Sequence, residues 1–305
     1  MNLKLYIELI QSGEIVAFPT ETVYGLGADA WNASAISKVF KEKGRPSDNP
    51  LIVHVSSEDQ IHQFAKEIPE SAHQLIKEFW PGPLSLVLKK KVEVLDAVTA
   101  GLDSVAIRMP NHPIALEFIQ NTGPLVAPSA NKSGRPSPTK AEHVRSDFGE
   151  NFPVIDGQAT QVGLESTVLD LTEDTPSILR PGSISRKDIE EVLGYEIEES
   201  FFHVEKPKSP GQKYSHYKPV AEVRWLTSDE SLEHNNSLYL VHSLPNRAKN
   251  IINYEGDFSL FARQLYDRFR QADLEDYPSV IIQPFDSNAS PIASALLNRI
   301  EKAIS

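Results

Sequence analysis

Apolar residues recur with two different periods along this chain, and the two patterns alternate through its first two-thirds. Short continuous apolar runs closed by proline or polar residues predict buried strands. They fall at Glu14 to Phe18 (ended by Pro19), Pro50 to Val55, Leu84 to Leu88 (with Lys89 to Lys91 as a solvated end), Val105 to Arg108 (ended by Pro110), Leu125 to Ala127 and Thr167 to Leu171. Between them the spacing turns helical. Ile36, Val39 and Phe40 define a helix over Ala33 to Lys43, stopped by Gly44 and Pro46. Shorter helical patterns cover 58–65 and 71–80. A further helix runs from Pro113 to Gln120 with Asn111 as its predicted cap, and Ser185 caps another through Leu193. This alternation predicts an α/β fold.

The pattern breaks between Lys206 and Pro219, where three prolines and one glycine stand without apolar periodicity. That composition predicts a stiffened linker. Beyond it a smaller α/β unit is expected. Its strands are Glu222 to Leu226, Leu238 to His242 and Val280 to Gln283, and its helices Ser259 to Ala272 and Ala289 to Ile304. Phe261, Leu265 and Phe269 form the core stripe of the first helix. No internal repeat or low-complexity tract is visible.

The 305 residues suffice for two domains, and 40% hydrophobic with 24% charged residues is ordinary for a globular chain. No apolar run approaches the ~18 residues that span a bilayer. The first residues carry no apolar core or small-residue cleavage site, so no secretory signal is expected. The absence of cysteine excludes disulfides and thiolate metal sites and favours a cytoplasmic location. A net charge of −12 argues against a surface that coats nucleic acid, but not against a local basic pocket.

Candidate chemistry sits at the ends of the predicted elements. Gly25 to Ala30 matches G-x-G-x-x-A, but Pro19 to Tyr24 separate it from the preceding strand, so a tight turn of small residues is preferred to a dinucleotide fingerprint. There is no Walker loop, no H-E-x-x-H, no G-x-S-x-G and no metal-ligand spacing among the histidines. The segment PTETVYGLG, from Pro19 to Gly27, is either a polar turn or a ligand site at a strand end. Lys43 and Arg45 complement the negative end of a helix, yet the framed run Arg45-Pro46-Ser47-Asp48-Asn49-Pro50 exceeds what a helix end needs. Arg108 closes an apolar strand, where a guanidinium suits a substrate carboxylate or an internal acid. Ser129, Asn131, Ser133 and Ser137 punctuate a loop that offers donors to phosphate or to an adenine edge. Gly163 to Thr167 and Leu179 to Gly182 repeat the theme. Together, Lys43 and Arg45 with Ser129 and Asn131 form a split pair of signatures suited to an anion.

Taken in order, PTETVYGLG, KGRP with Asn49-Pro50-Leu51, FWPGPLS at Phe79–Ser85, VAIRMP at Val105–Pro110, APSAN at Ala127–Asn131, GLESTVLD at Gly163–Asp170 and ILRPG at Ile178–Gly182 resemble the L-threonylcarbamoyladenylate synthases. SPGQKYSHYKP at Ser209–Pro219 resembles the linker of their long two-domain form, with Gln212 where methionine is expected. The resemblance covers the first domain and the linker, and is weakest beyond them. It implies a YrdC-like twisted mixed α/β sheet with a concave positively charged cavity, plus a small Rossmann-like C-terminal α/β domain. The corresponding divisions are a catalytic domain at 1–205, a linker or lid at 206–219 and a small domain at 220–305.

By the same resemblance, the activity is condensation of L-threonine, bicarbonate or carbon dioxide, and ATP to threonylcarbamoyl-AMP and pyrophosphate, a nucleotidyl transfer that serves tRNA modification. Thr22, His54, Arg108, Ala127 and Ser166 would bind threonine. Lys43, Arg45, Asn49, Ser104, Ser129, Asn131, Ser137 and Arg180 would bind ATP. Tyr214, His216 and Tyr217 would close over the site. Mg²⁺ is expected on the ATP phosphates, with no dedicated metal site. The expected partners are the three substrates and downstream tRNA-modifying transferases, with no membrane and no requirement for direct tRNA binding. No general base stands out. Two other readings use the same fold: a double-stranded RNA-binding module, disfavoured by net charge, and a carbamoyl-transfer relative, which normally carries zinc-finger cysteines that this chain lacks.

Overall fold

A computed structural model describes residues 2–200, 217–227, 232, 236–244 and 248–305. In chain order the elements are α1 (Lys4–Gln11), β1 (Val16–Phe18), β2 (Gly25–Asp29), α2 (Ala33–Lys43), β3 (Ile52–His54), α3 (Ile61–Phe64), α4 (Glu70–Phe79), β4 (Leu84–Lys89), α5 (Asp96–Thr99), β5 (Ser104–Arg108), α6 (Pro113–Thr122), β6 (Leu125–Val126), α7 (Ala141–Phe148), β7 (Thr167–Asp170), β8 (Ser177–Arg180), α8 (Arg186–Leu193) and β9 (Glu198–Glu199). The last third adds β10 (Glu222–Trp225), β11 (Leu238–Val241), β12 (Ile251–Asn253), α9 (Phe258–Leu274), β13 (Ser279–Ile282) and α10 (Ala293–Ile304).

The first nine strands form one sheet in the order β1-β2-β6-β3-β5-β4-β7-β8-β9. It is mixed: β3 with β5 and β4 with β7 run parallel, whereas β6 with β3, β5 with β4 and β7 with β8 run antiparallel. The other four strands form a separate, all-parallel sheet in the order β10-β13-β11-β12. The expected α/β architecture, a large mixed sheet followed by a smaller parallel one, is therefore present.

Two details correct the sequence reading. Gly25 to Asp29 is a strand, not a tight turn. Its glycines make room for the Phe18 ring on β1, because a Cβ at Gly27 would lie 2.9 Å from Phe18 Cε1. This packing also disposes of the dinucleotide reading, which needs those glycines at a strand-to-helix turn. The helix at Pro113 has His112, not Asn111, at its N-cap, without a side-chain cap bond. By contrast, α2 begins and ends where its sequence signals lie. Asn32 accepts hydrogen bonds from the backbone N–H groups of Ser34 and Ala35, and Gly44 closes the helix at φ +62°. Ser185 forms a full capping box with Asp188.

One apolar cluster spans both units. Val23 and Leu164, from loops of the first, are buried with Phe261, Leu265 and Leu296 of α9 and α10. Gly163, at φ +82°, packs so tightly on α9 that a Cβ would strike the Arg263 backbone. The helices of the second unit thus sit directly on a loop that carries candidate site residues.

Candidate active site

Register brings the strand ends together. His54 and Arg108, the last residues of the parallel neighbours β3 and β5, stand opposite each other, and β6 runs back beside them to deliver Ala127. Arg180, the last residue of β8, returns past the beginning of β7, so its Nε donates to the Ser166 carbonyl and its Nη2 to Ser166 Oγ. Two distant loops are stitched side by side. Gly25 bridges to Ser129, Leu26 N–H donates to the Pro128 carbonyl and Ala130 N–H to the Tyr24 carbonyl.

These contacts enclose a cavity of about 60 Å³. All five expected threonine residues line it: Thr22, His54, Arg108, Ala127 and Ser166. So do Arg45, Ser129, Asn131, Ser137 and Arg180 of the expected ATP set, and Tyr217 of the expected lid. Tyr214 and His216 lie outside the described residues, as does Gln212.

Three expected ATP residues do not reach the lining. Ser104 opens β5 while Arg108 closes it, so about four strand rises, roughly 13 Å, separate them. Asn49 is fully buried, with neither amide atom hydrogen-bonded. Lys43 turns its ammonium onto the Ser129 and Asn131 carbonyls at 2.6 and 2.7 Å. Burial, and then the neighbouring Arg45 charge, push its pKa well below the usual lysine value. Lys43 therefore joins the two halves of the split signature through the backbone, as a staple beneath the wall.

The cavity electrostatics rest on four arginines, Arg45, Arg108, Arg135 and Arg180, and one carboxylate, Glu165. Burial disfavours ionisation of Glu165, but the charges of Arg299 and Arg180 and a hydrogen bond from Ser137 outweigh it and bring the pKa down to about 2. Burial, aided by the Arg108 charge, lowers His54 to about 3, so its ring is neutral. Its Nδ1 lies 3.2 Å from the Ile52 carbonyl, which can only accept; Nδ1 therefore carries the proton and Nε2 is an acceptor. Arg108 is engaged on three sides: Nε donates to the Gly82 carbonyl, Nη1 to Thr22 Oγ1 at 2.9 Å, and Nη2 lies 2.6 Å from Glu21 Oε1. The last contact is an ion pair whose angle falls outside hydrogen-bond geometry, which leaves donor and acceptor capacity on both partners.

Sequence reasoning missed Glu21, Glu165 and Arg135. Glu21 and Glu165 each sit beside a chosen residue, Thr22 and Ser166, inside a quoted motif. The signal available was an unbalanced charge: a buried Arg108 or Arg180 requires a nearby acid, and these motifs hold one each.

The chain is similar to known proteins along nearly its whole length. A family model described as "Telomere recombination" (Sua5_yciO_yrdC) matches residues 8–182, and one described as "Threonylcarbamoyl-AMP synthase, C-terminal domain" matches residues 184–305. The chain belongs to the threonylcarbamoyl-AMP synthase family. A synthase of that name from Pyrococcus abyssi is 41% identical, over 99% of this chain and 94% of the relative. One from Bacillus subtilis is 43% identical, over 97% and 90%. The crystal structure of P. abyssi Sua5 complexed with L-threonine superposes with a TM-score of 0.90 at 40% identity, covering 99% of this chain and 94% of that one. The resemblance and the fold class drawn from the sequence are both upheld. Membership makes this threonylcarbamoyl-AMP synthase relative an enzyme of nucleotidyltransferase type, with a product linked to AMP and a place in tRNA modification.

Proposed function

We propose that this chain condenses L-threonine, bicarbonate or carbon dioxide, and ATP into threonylcarbamoyl-AMP and pyrophosphate, with 1–205 as catalytic domain, 206–219 as linker and 220–305 as small domain. The observation that carries the reading is the meeting of Thr22, His54, Arg108 and Ser166 with Arg45, Asn131, Ser137 and Arg180 around one cavity, in a member of this family.

The first group holds threonine and the second ATP. Arg108 takes the threonine carboxylate with its remaining N–H capacity, while Glu21 and Gly82 fix its plane. The neutral His54 leaves Nε2 as an acceptor for the substrate hydroxyl or amine. The free threonine amine attacks carbon dioxide and loses a proton, giving a carbamate. A carbamate oxygen then attacks the α-phosphate, and pyrophosphate leaves. Juxtaposing the reactants supplies up to roughly 7–11 kcal/mol of the barrier reduction, and the arginines stabilise charge on the phosphates. Lys43 and Asn49 act from behind the lining, Lys43 by fixing the Ser129 and Asn131 backbone. The assignment of Ser104 to ATP finds no support in its position.

Mg²⁺ enters on the ATP phosphates. Glu165, the carboxylate on the lining, is committed to Arg299, Tyr266 and Ser137 and offers no ready ligand. Tyr217, the expected lid residue among those described, is buried on the cavity wall and is stacked on Tyr266. Among the described residues no helix is long and apolar enough to cross a membrane; together with the tRNA-directed product this supports a cytoplasmic enzyme that passes its intermediate to downstream transferases. The test is incubation with threonine, bicarbonate and Mg–ATP, omitting each in turn. Pyrophosphate release that needs all three is expected; release independent of threonine or bicarbonate overturns the reading.

A further inference from the structure

A side chain of the C-terminal helix reaches the cavity wall. Arg299 on α10 is fully buried, and its Nε donates to Glu165 Oε2 at 2.8 Å. The same guanidinium donates from Nη2 to the Pro181 carbonyl, next to Arg180, and lies 5.4 Å from the centre of the Tyr217 ring. Its Nη1 is held by Asn298 Oδ1. Glu165 receives two further donors. Ser137 Oγ binds Oε1 at 2.5 Å, and the Tyr266 hydroxyl of α9 binds Oε2 at 3.0 Å. Thus Glu165, Pro181 and Tyr217, on or beside the cavity, converge on one cation that the catalytic sheet does not itself supply.

The arrangement poses an electrostatic problem with a definite answer. A polyphosphate must approach a wall that contains an ionised, buried carboxylate. In a low-dielectric site that like charge opposes binding strongly. Arg299 stands against Glu165 Oε2 and cancels the charge, while Glu165 still accepts from Ser137 and so aims that hydroxyl's oxygen. The arginines on the lining then meet the polyphosphate without the opposing charge of Glu165.

We propose that Arg299 is a positioning residue for the nucleotide half of the site: the counter-ion that makes the Glu165 wall, with the Ser137 hydroxyl it aims, compatible with a polyphosphate. This rests on the reading of the cavity as an ATP site. The second unit would then complete the nucleotide site electrostatically, beyond packing against it.

The test measures Mg–ATP affinity and threonine affinity separately by calorimetry, which needs no turnover, in the full chain and in Arg299→Met, Arg299→Lys and the double variant Glu165→Gln/Arg299→Met. Thermal unfolding accompanies each. Arg299→Met is expected to weaken ATP about tenfold or more while threonine changes less than about threefold, and the double variant to return ATP to within about threefold of wild type. Arg299→Lys, which keeps the charge, is expected to lie between. A purely structural role predicts that ATP and threonine affinities fall together and track the loss of thermal stability. Unchanged ATP affinity in Arg299→Met, equal loss of both ligands, or a folded double variant as weak as the single one would overturn the proposal. If Arg299→Met does not fold, Arg299→Lys serves as the single variant, and a double variant that binds ATP no better than Arg299→Lys overturns the proposal. Failure of wild-type chain to bind ATP at all would instead strike the underlying reading of the site.

Discussion

Arg108 Nη2 lies 2.6 Å from Glu21 Oε1, and both side chains are almost completely buried. The guanidinium is therefore oriented before any substrate arrives, with its other donors on Gly82 and Thr22. Orientation of this kind lowers the ordering cost of binding.

Replacing Arg108 by alanine is expected to weaken threonine roughly tenfold to a hundredfold, since a hydrogen bond to a charged group contributes about 1.5–3 kcal/mol. ATP affinity should change far less. Calorimetry with each ligand checks this, and intact threonine affinity would remove Arg108 from the carboxylate. Glu21→Gln keeps the shape but releases the guanidinium, so a smaller loss in the same direction is expected.

Lys43 and Arg45 are two residues apart and do different things. Lys43→Met deprives the Asn131 carbonyl of its Lys43 donor, at a cost of about 1–3 kcal/mol where that acceptor is left buried and unsatisfied, while the Ser129 carbonyl keeps the Asn131 N–H. Its first effect should be a lower denaturant midpoint, with ATP weakened through the displaced Ser129 and Asn131. Arg45→Ala should remove a cation from the lining and abolish most pyrophosphate formation while the fold persists. Denaturant unfolding beside the pyrophosphate assay separates the two. Unchanged turnover in both variants would leave the pair as helix-end decoration.

The difference between these neighbours shows what the sequence could disclose. Apolar spacing and Gly44 announce α2, whose bounds are legible to the residue, although its Asn32 cap was not read. Long apolar strands such as β4 and β5 were equally clear. By contrast α1 and α7, which start with neither a side-chain cap nor a proline, went unread, as did the short β8 and β12. At the site, motif residues at strand ends reached the cavity because register fixes where strands finish. Side-chain direction was not legible: Lys43 and Asn49 lie in the right segment behind the lining. Nor could a linear reading pair Glu165 with Arg299, because the two meet only when the second sheet docks.

The neutral state of His54 makes a pH prediction with a definite sign. Its folded pKa is about 3 against an ordinary 6.5, chiefly through burial and then through Arg108. Below the ordinary value the unfolded chain binds a proton that the folded chain refuses, so stability from this group is full above 6.5 and is lost as pH falls toward 3. Glu165, held down to about 2 from an ordinary 4.5, loses its contribution in the same direction as pH falls between those two values. His54→Gln should flatten the pH dependence of unfolding free energy between those His54 values. An equally steep dependence in the variant would show that the ring does not carry this linkage.

The chain cut to residues 1–205 tests what the second unit contributes. Removing it uncovers Leu164 and Val23, which are buried against α9 and α10, and strips Arg299 and Tyr266 from Glu165. It also takes Arg270 of α9, at 2.8 Å, from the buried Asp147 side chain, which keeps the Lys132 N–H and Arg135. Breaking one buried pair from one side costs about 3–5 kcal/mol when the survivor stays buried; here the survivors become exposed, which reduces the penalty. The large sheet is complete without the second unit, so the fragment should fold, with a lower melting temperature and a tendency to self-associate through its new apolar face. Its ATP affinity should fall more than its threonine affinity, because Arg108, Thr22 and His54 find their partners within the fragment, whereas Glu165 keeps Ser137 but loses Arg299 and Tyr266. Calorimetry and sedimentation on the fragment check both statements. Full activity and unaltered ATP affinity would leave the second unit without a part in the reaction.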